Sequence, residues 1–232
     1  MSFIFIWVLI IFEPSKKGES LMSITPFITV EGPIGVGKTS LAKAISTHFH
    51  YALLKEIVDE NPFLGKFYQD IEEWSFQTEM FFLCNRYKQL EDIQSQFLKN
   101  NNPVVADYHI LKNLIFAERT LKPQQYQKYL QIYQILIADM PTPNVIIYLH
   151  ASLDTLLERI RLRGRDIEKK IEPAYLQQLS DDYEATMTRF EREYPNIPVI
   201  RFNGDELDFI QNEGDLTYML SKIGENLYAK GV

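Results

Sequence analysis

Cysteine is nearly absent from this sequence, since Cys84 is the only one among 232 residues. An internal disulfide and a cysteine-rich metal site are therefore excluded. So little cysteine suits a reducing compartment, and we expect a cytoplasmic protein. Cys84 falls within a helical pattern, where we expect it to be a small residue of the core.

The sequence also lacks an excess of positive charge, because its formal net charge is −7. This disfavours a nucleic-acid polymer as partner, although backbone amides can still bind a small anion. One apolar run, residues 3–12, is shorter than the ~20 residues needed to span a bilayer, so we expect no membrane association. We interpret residues 1–22 as an extension from a start codon assigned too early, and residues 23–232 as one domain. The alternative for the N-terminal segment is a membrane anchor or a signal segment.

The most specific motif is a phosphate-binding loop. The segment Gly32-Pro33-Ile34-Gly35-Val36-Gly37-Lys38-Thr39 fits the pattern G-x-x-x-x-G-K-[ST], with an apolar run before it and a helical pattern from Ser40 after it. Glycines let backbone N–H groups face a polyanion, and the positive end of the helix dipole adds to the attraction. We expect residues 32–40 to bind ATP, with Lys38 on the outer phosphates and Thr39 on Mg²⁺.

Alternating strand and helix patterns predict an α/β protein. Apolar runs predict five strands, at residues 27–30, 51–55, 104–106, 145–149 and 199–202. Helical patterns lie between and after them, at residues 40–45, 63–68, 72–98, 109–120, 123–139, 153–162, 173–194 and 214–229. This alternation predicts a three-layer fold in which helices flank both faces of a five-stranded parallel sheet. Ligands of such sheets bind beyond the carboxyl ends of the strands, where the loop, Glu56 and Asp107 should meet.

The sequence has no GTPase signature, because neither D-x-x-G nor N-K-x-D occurs. No ABC-type signature is present either. These absences favour a kinase of a small acceptor. Glu56 could accept a proton from an attacking hydroxyl, and Asp107 could hold Mg²⁺. Arg159, Arg163 and Arg165 could close over the phosphates. The alternatives are a solvated strand-end charge for Glu56 and a solvated helix face for the arginines.

Five segments together are far more specific than the loop alone. They are residues 31–39, Glu56 with 61–64, residues 74–83 with Arg86, residues 106–109 and residues 163–165. In these segments the chain, from Ile24 to its end, resembles the deoxyribonucleoside kinases, most closely their bacterial deoxyguanosine kinase branch. The resemblance implies a P-loop kinase fold and transfer of the ATP γ-phosphoryl group to a deoxynucleoside 5′-hydroxyl.

The resemblance also implies a role for particular residues. It implies that Glu56 is the general base and that Asp107 belongs to the metal site with Thr39. We expect Lys38, Arg163 and Arg165 to be catalytic residues together with Glu56. An arginine-rich lid near 159–172 would bring Arg159, Arg163 and Arg165 to ATP, while Tyr68 and Glu168 would hold the sugar 3′-hydroxyl. Such enzymes are usually homodimers, and we expect a homodimer here.

Two positions depart from the family pattern. Relatives commonly have Asp/Glu-Arg-Ser after the third strand, where this chain has Asp107-Tyr108-His109. Tyr108 cannot supply the arginine's charge, so we expect it to be a packing residue and another cation, such as a lid arginine, to replace that charge. Relatives also tend to have Asp at the position of Asn113, and many have Gln at the position of Glu79, seven residues before Arg86.

Glu79 has a chemical interpretation in base recognition. Guanine presents two adjacent donors, N1–H and N2–H, which a carboxylate can accept in parallel. Arg86 could donate to guanine O6 and N7, and Asn113 would complete the base site. Aromatic residues from the set Phe63, Phe81, Phe82 and Tyr87 could stack on the base. The alternative for Glu79 is an ion pair with Arg86 two turns along one helix face.

The sequence therefore predicts a deoxyguanosine kinase that uses Mg²⁺ and ATP in nucleoside salvage. One alternative is a deoxyadenosine kinase, or a broad purine or deoxycytidine kinase, on the same scaffold. A second alternative is a nucleotide-binding module without catalytic activity, which the absence of the family arginine at Tyr108 keeps open.

Overall fold

The structure is a computed structural model that describes residues 25–58 and 60–229. The extension predicted at residues 1–22 lies outside this range. The sheet has five parallel strands in the order β2-β3-β1-β4-β5. They are β1 (Phe27–Glu31), β2 (Ala52–Leu54), β3 (Val104–Ala106), β4 (Val145–His150) and β5 (Val199–Asn203). The predicted sheet is confirmed, and every strand lies within two residues of its expected bounds.

Eight α-helices are described in these residues, and they cover both faces of the sheet. They are α1 (Lys38–Phe49), α2 (Leu64–Phe67), α3 (Ile71–Asp92), α4 (Lys112–Thr120), α5 (Pro123–Ile137), α6 (Leu153–Arg163), α7 (Pro173–Glu193) and α8 (Glu213–Ala229). Helices α1, α6 and α8 pack on one face through a core that includes Leu41, Ile160 and Ile223. Helices α3, α4, α5 and α7 cover the other face. The predicted three-layer fold is therefore confirmed.

Helix α3 shows how local sequence determines where a long helix begins and how it ends. Asp70 caps its start by accepting the backbone N–H of Glu73 at 3.1 Å, and acidic residues in the first turn favour the helix dipole. The helical course continues as a π-helix over Ile93–Phe97 and a 3₁₀ turn over Leu98–Asn100. The single helix predicted for 72–98 thus changes type near its end.

Cys84 differs from its prediction, since it is exposed on α3 rather than part of the core. Its neighbours Leu83 and Arg86 carry the buried face of the helix, and the 3.6-residue period turns Cys84 to the outside. Within the described residues, none of the helices has the length and apolar character needed to cross a membrane.

Candidate active site

The phosphate loop joins β1 to α1 and depends on glycine conformations. Gly32 has φ +147°, and a Cβ there would lie 2.2 Å from the backbone oxygen of Leu149. Gly37, at the N-terminus of α1, has φ +106°. Residues with a Cβ atom rarely adopt such φ angles, so both positions require glycine. The loop therefore brings its N–H groups and the start of α1 to the carboxyl end of the sheet.

Lys38 folds back over the loop that precedes it. Its Nζ donates to the carbonyl oxygens of Gly32 at 2.7 Å and Pro33 at 2.9 Å. Burial, and next the charge of Lys112, lower the pKa of Lys38 to about 8. The ammonium is thus placed beside the expected phosphate site by backbone contacts.

Thr39, in the first turn of α1, contacts Asp107, the residue directly after β3. The Thr39 hydroxyl donates to Oδ2 of Asp107 at 2.6 Å, and Oδ1 of Asp107 accepts the backbone N–H of Glu56 at 2.6 Å. A hydroxyl and a carboxylate are hard oxygen donors of the kind that Mg²⁺ binds together with substrate phosphates. The donor set fits Mg²⁺ held mainly by ATP, and the described residues contain no cluster of three or more His, Cys, Asp or Glu for a metal.

Glu56 lies just after β2 and is held by two cations. Nη2 of Arg86 binds its Oε1, and Nζ of Lys112 donates to its Oε2 at 2.7 Å. Burial raises the pKa of Glu56, but Lys112 and Arg86 outweigh that effect and bring the pKa below its usual range. The carboxylate is therefore ionised at neutral pH, and it differs from a solvated strand-end charge because its side chain is only 9% exposed.

Lys112 was not predicted from the sequence, where another cation, such as a lid arginine, was expected to replace the charge absent at Tyr108. In the structure, the second cation on Glu56 is Lys112, which comes from the first turn of α4. The available signal was a charged residue in the mainly apolar segment after Asp107, directly before Asn113. No motif marks that position, so only the fold brings it to Glu56.

Glu79 is a buried acid on α3, only 1% exposed. Its Oε2 has no hydrogen-bond partner among the described residues, and Arg86 pairs with Glu56 instead of Glu79. Burial raises the pKa of Glu79 to about 8, against the opposing charges of Arg86 and Lys112. The carboxyl group lines the same cavity as Glu56, which makes it available to a polar ligand.

Asn113 is placed differently from its expected role in base recognition. It is fully buried, and its amide nitrogen donates to the hydroxyl of Tyr129 at 2.8 Å. It does not line the cavity that contains Glu79 and Arg86. The first turn of α4 presents Lys112 to the cavity and directs Asn113 toward α5.

Tyr68 and Glu168 both line the cavity, as their expected role at the sugar requires. Arg163 binds Glu168 through Nε at 3.0 Å and Nη2 at 2.5 Å, and Nη1 of Arg165 lies 3.6 Å from its Oε1. Burial, followed by the charge of Glu168, raises the pKa of Tyr68, so its hydroxyl remains protonated. The expected sugar-binding acid, Glu168, and two of the three expected lid arginines, Arg163 and Arg165, thus form one cluster.

Arg159 lies deeper than the other two arginines of the expected lid. Its Nη1 donates to the Val36 carbonyl at 3.1 Å and its Nη2 to the Gly204 carbonyl at 2.8 Å. All three arginines line the cavity, and Arg159 is only partly exposed. The arrangement favours phosphate contacts over a purely solvated helix face.

One cavity of about 900 Å³ connects these groups. It extends from the phosphate loop to Glu79, and its lining includes the aromatic residues Phe67, Phe82 and Phe116. Of the aromatic residues considered for stacking, Phe82 lines this cavity, whereas Phe63 stacks on Trp74. The rim also includes Asp208–Gln211, between β5 and α8, which sequence analysis did not single out. Its volume lies in the upper part of the range of about 300–1,000 Å³ that is typical of ligand pockets.

Glu31 is a further buried acid that sequence analysis gave no separate role. Its Oε1 accepts the backbone N–H of Gly32 at 3.1 Å, and its Oε2 accepts that of His109 at 2.5 Å. Burial raises its pKa. The side chain therefore ties the phosphate loop to the segment after β3, and the signal for it was a charge at the end of a buried strand.

Comparisons with known proteins agree with this geometry. The family model for deoxynucleoside kinases matches residues 28–228. A deoxyguanosine kinase of Bacillus subtilis is 53% identical over 204 residues, which make up 88% of this chain and 99% of that protein. A deoxyadenosine kinase of Lactobacillus acidophilus is 31% identical over 214 residues, covering 86% of this chain and 95% of that protein.

A solved structure supports the same assignment. Deoxyadenosine kinase from M. mycoides, with the products dCMP and a flexible dCDP bound, superposes with a TM-score of 0.74 at 25% identity. The match covers 86% of this chain and 99% of that structure. With its phosphate loop, the acid after β2 and a family match along nearly its whole length, this chain belongs to the deoxynucleoside kinase family.

Proposed function

We propose that this protein is a deoxyguanosine kinase, which transfers the γ-phosphoryl group of ATP to the 5′-hydroxyl of deoxyguanosine to give dGMP in purine salvage. The observation that carries the base preference is Glu79, a buried carboxyl group in the cavity whose Oε2 has no partner among the described residues. The 53% identity to the deoxyguanosine kinase of Bacillus subtilis supports the same substrate.

Guanine can provide hydrogen-bond donors, which Oε2 of Glu79 lacks among the described residues. Its N1–H and N2–H point in parallel from one edge, so an ionised carboxylate accepts both. Nε of Arg86 is likewise buried without a hydrogen-bond partner among the described residues, and it lies on the same helix face. A base that leaves Glu79 unpaired would be rejected by a factor on the order of 10³–10⁵.

Glu56 serves as the general base in this proposal. The 5′-hydroxyl gives its proton to Glu56 as its oxygen forms a bond to the γ-phosphorus. The bond between that phosphorus and the β–γ bridging oxygen breaks, and ADP leaves with the electron pair. Because Glu56 is already ionised, it can accept the proton without first losing one.

Thr39 and Asp107 would hold Mg²⁺, which supplies charge neutralisation at the β- and γ-phosphates when bound. Lys38 and the arginines at 159, 163 and 165 would contact the ATP phosphates, since all four line the cavity. Tyr68 and Glu168 would bind the sugar 3′-hydroxyl. The proposal includes a homodimer, which the family resemblance implies, and a cytoplasmic location, which the low cysteine content favours.

A second candidate follows from the pKa of Glu79. A protonated Glu79 presents one O–H donor and one acceptor, which is the pattern that adenine or cytosine requires. With a pKa of about 8, much of the ligand-free protein is in this form at neutral pH. Deoxyadenosine or deoxycytidine is therefore the competing substrate, with a preference that should grow as pH falls.

The deciding experiment is a scan of the four natural deoxynucleosides with labelled ATP and Mg²⁺. We expect the highest kcat/KM for deoxyguanosine. A higher kcat/KM for deoxyadenosine or deoxycytidine would overturn the guanine preference and favour the second candidate. Absence of phosphoryl transfer to any of the four would overturn the kinase proposal.

A further inference from the structure

The charge missing at Tyr108 is replaced from another element. We propose that Lys112 is the positioning residue for the general base, taking the place of the arginine that relatives carry directly after the residue matched by Asp107. This inference rests on the proposed function, because it assigns Lys112 a role through Glu56.

The contact with Glu56 is close and shielded from water. Nζ of Lys112 lies 2.7 Å from Oε2, and the side chains of Lys112 and Glu56 are 10% and 9% exposed. Arg86 engages the other oxygen, Oε1. With a cation on each oxygen, the plane of the carboxylate is fixed, and its remaining lone pairs are directed to the cavity that both residues line.

Tyr108 cannot perform this task. It is 1% exposed, its hydroxyl has no hydrogen-bond partner among the described residues, and its ring centre lies 5.7 Å from Cζ of Arg86. A phenol is neutral or negative and never cationic, so Tyr108 cannot supply a positive charge. Its ring packs against the guanidinium of Arg86, and the second positive charge at Glu56 comes from Lys112.

Three other cations that line the cavity have partners elsewhere. Lys38 donates to two loop carbonyls, Arg159 to the carbonyls of Val36 and Gly204, and Arg163 to Glu168. Lys112 is therefore the cation at Oε2 of Glu56 within the described part of the chain. Its placement follows from the fold, since the first turn of α4 starts five residues after Asp107.

A flexible point charge suits this position during the reaction. As Glu56 accepts the proton from the 5′-hydroxyl, its charge is neutralised and its attraction for Lys112 weakens. An ammonium on a four-carbon stem can rotate its donors, whereas a guanidinium is a rigid fork. Positioning by Lys112 should therefore affect the chemical step more than the binding of either substrate.

The test compares Lys112→Met and Lys112→Gln with Lys112→Arg in steady-state kinetics with deoxyguanosine and ATP. Met and Gln remove the charge at similar length, and Arg retains it. Lys122→Met is the matched control, because Lys122 also pairs with a glutamate, Glu72, but is 59% exposed. Thermal unfolding and ATP binding are measured for every variant to establish that it is folded.

We expect kcat to fall by about 10²–10³-fold in Met and Gln, with KM for deoxyguanosine changed less than about threefold. Lys112→Arg should recover at least about tenfold of that loss, which a packing role would not predict. The inference is overturned if Met or Gln keeps kcat within about threefold of wild type, if KM alone changes, or if Arg is no better than Met. Loss of folding in both would also overturn it, by assigning Lys112 to stability.

These outcomes are separate from those for the proposed function. If wild-type protein phosphorylates no deoxynucleoside, the proposed function fails and this inference fails with it. If the wild type is active and the variants behave like the Lys122→Met control, only the role of Lys112 is rejected.

Discussion

Arg86 binds Glu56 rather than Glu79, although Glu79 lies two turns away on the same face of α3. As a result, Glu56 and Glu79, which line the same cavity, differ in their pKa values. Glu56, paired twice, has a lowered pKa, and Glu79, with Oε2 unpaired, has a raised one. Environments that push the pKa values of two carboxyl groups apart are typical of sites where the groups have different tasks.

Replacing Glu79 should change the preferred base. Glu79→Gln substitutes a donor for one acceptor, so one of the two guanine N–H groups loses its partner. We expect kcat/KM for deoxyguanosine to fall by about 10²-fold or more, and that for deoxyadenosine or deoxycytidine to rise. The measurement is the ratio of kcat/KM values. Glu73→Gln, an exposed change on the same helix, is the control, and an unchanged ratio would defeat the base-reading role.

The raised pKa of Glu79 predicts a pH-dependent affinity. Because guanine requires the ionised form and the pKa is about 8, KM for deoxyguanosine should fall as pH rises from 6 to 8, by up to about tenfold per unit. Deoxyadenosine should show the opposite trend. Charged or titratable groups that act on Glu79 are Glu56, Tyr68, Arg86, Lys112, Tyr129 and Tyr175.

Glu79→Gln provides the control for that pH profile, because glutamine does not titrate. Its KM for deoxyguanosine should be nearly constant between pH 6 and 8. A slope that persists in this variant would attribute the titration to another group and contradict the prediction.

Replacing Glu56 should separate chemistry from binding. Glu56→Gln retains the shape but cannot accept the 5′-hydroxyl proton, so kcat should fall by ~10²–10⁴. Deoxyguanosine affinity, measured by calorimetry, should stay within a few-fold of wild type. The matched control is Glu60→Gln, an exposed acid in the same segment. A near-normal kcat in Glu56→Gln would remove Glu56 as the base.

The assignment of Tyr68 to the sugar predicts a loss specific to one hydroxyl. Tyr68→Phe deletes the phenolic oxygen and should weaken kcat/KM for deoxyguanosine by roughly tenfold, the worth of about one hydrogen bond. For 2′,3′-dideoxyguanosine, which lacks the 3′-hydroxyl, the same substitution should have little effect. Equal losses with both nucleosides would indicate that Tyr68 supports the cavity without binding that hydroxyl.

Residues at strand ends were predictable because the geometry of a parallel sheet fixes them. Once the strands before Gly32, Glu56 and Asp107 are identified, their carboxyl ends must lie on one edge. The structure brings Thr39 within 2.6 Å of Asp107 and the Glu56 backbone within 2.6 Å of the same carboxylate. Local patterns also sufficed for the helices, apart from the change to a π-helix at Ile93.

Residues whose direction depends on helix rotation were harder to predict. Lys112 and Asn113 are neighbours, yet the start of α4 directs one to Glu56 and the other to Tyr129. A rotation of about 100° per residue separates their faces, and the sequence contains no motif that sets its origin. The prediction for Cys84 was wrong for the same reason. Cysteine is usually a core residue, and only the rotation of α3 about its axis turns Cys84 to the surface.

The guanidinium of Arg159 has a mechanical consequence. It is a rigid plane that donates to two carbonyls. One belongs to Val36 in the phosphate loop, and the other to Gly204, in the segment that leads to Asp208–Gln211. When one carbonyl moves, the other must follow or a hydrogen bond must break. We therefore expect the phosphate loop and the segment that leads to Asp208–Gln211 to move together when ATP binds.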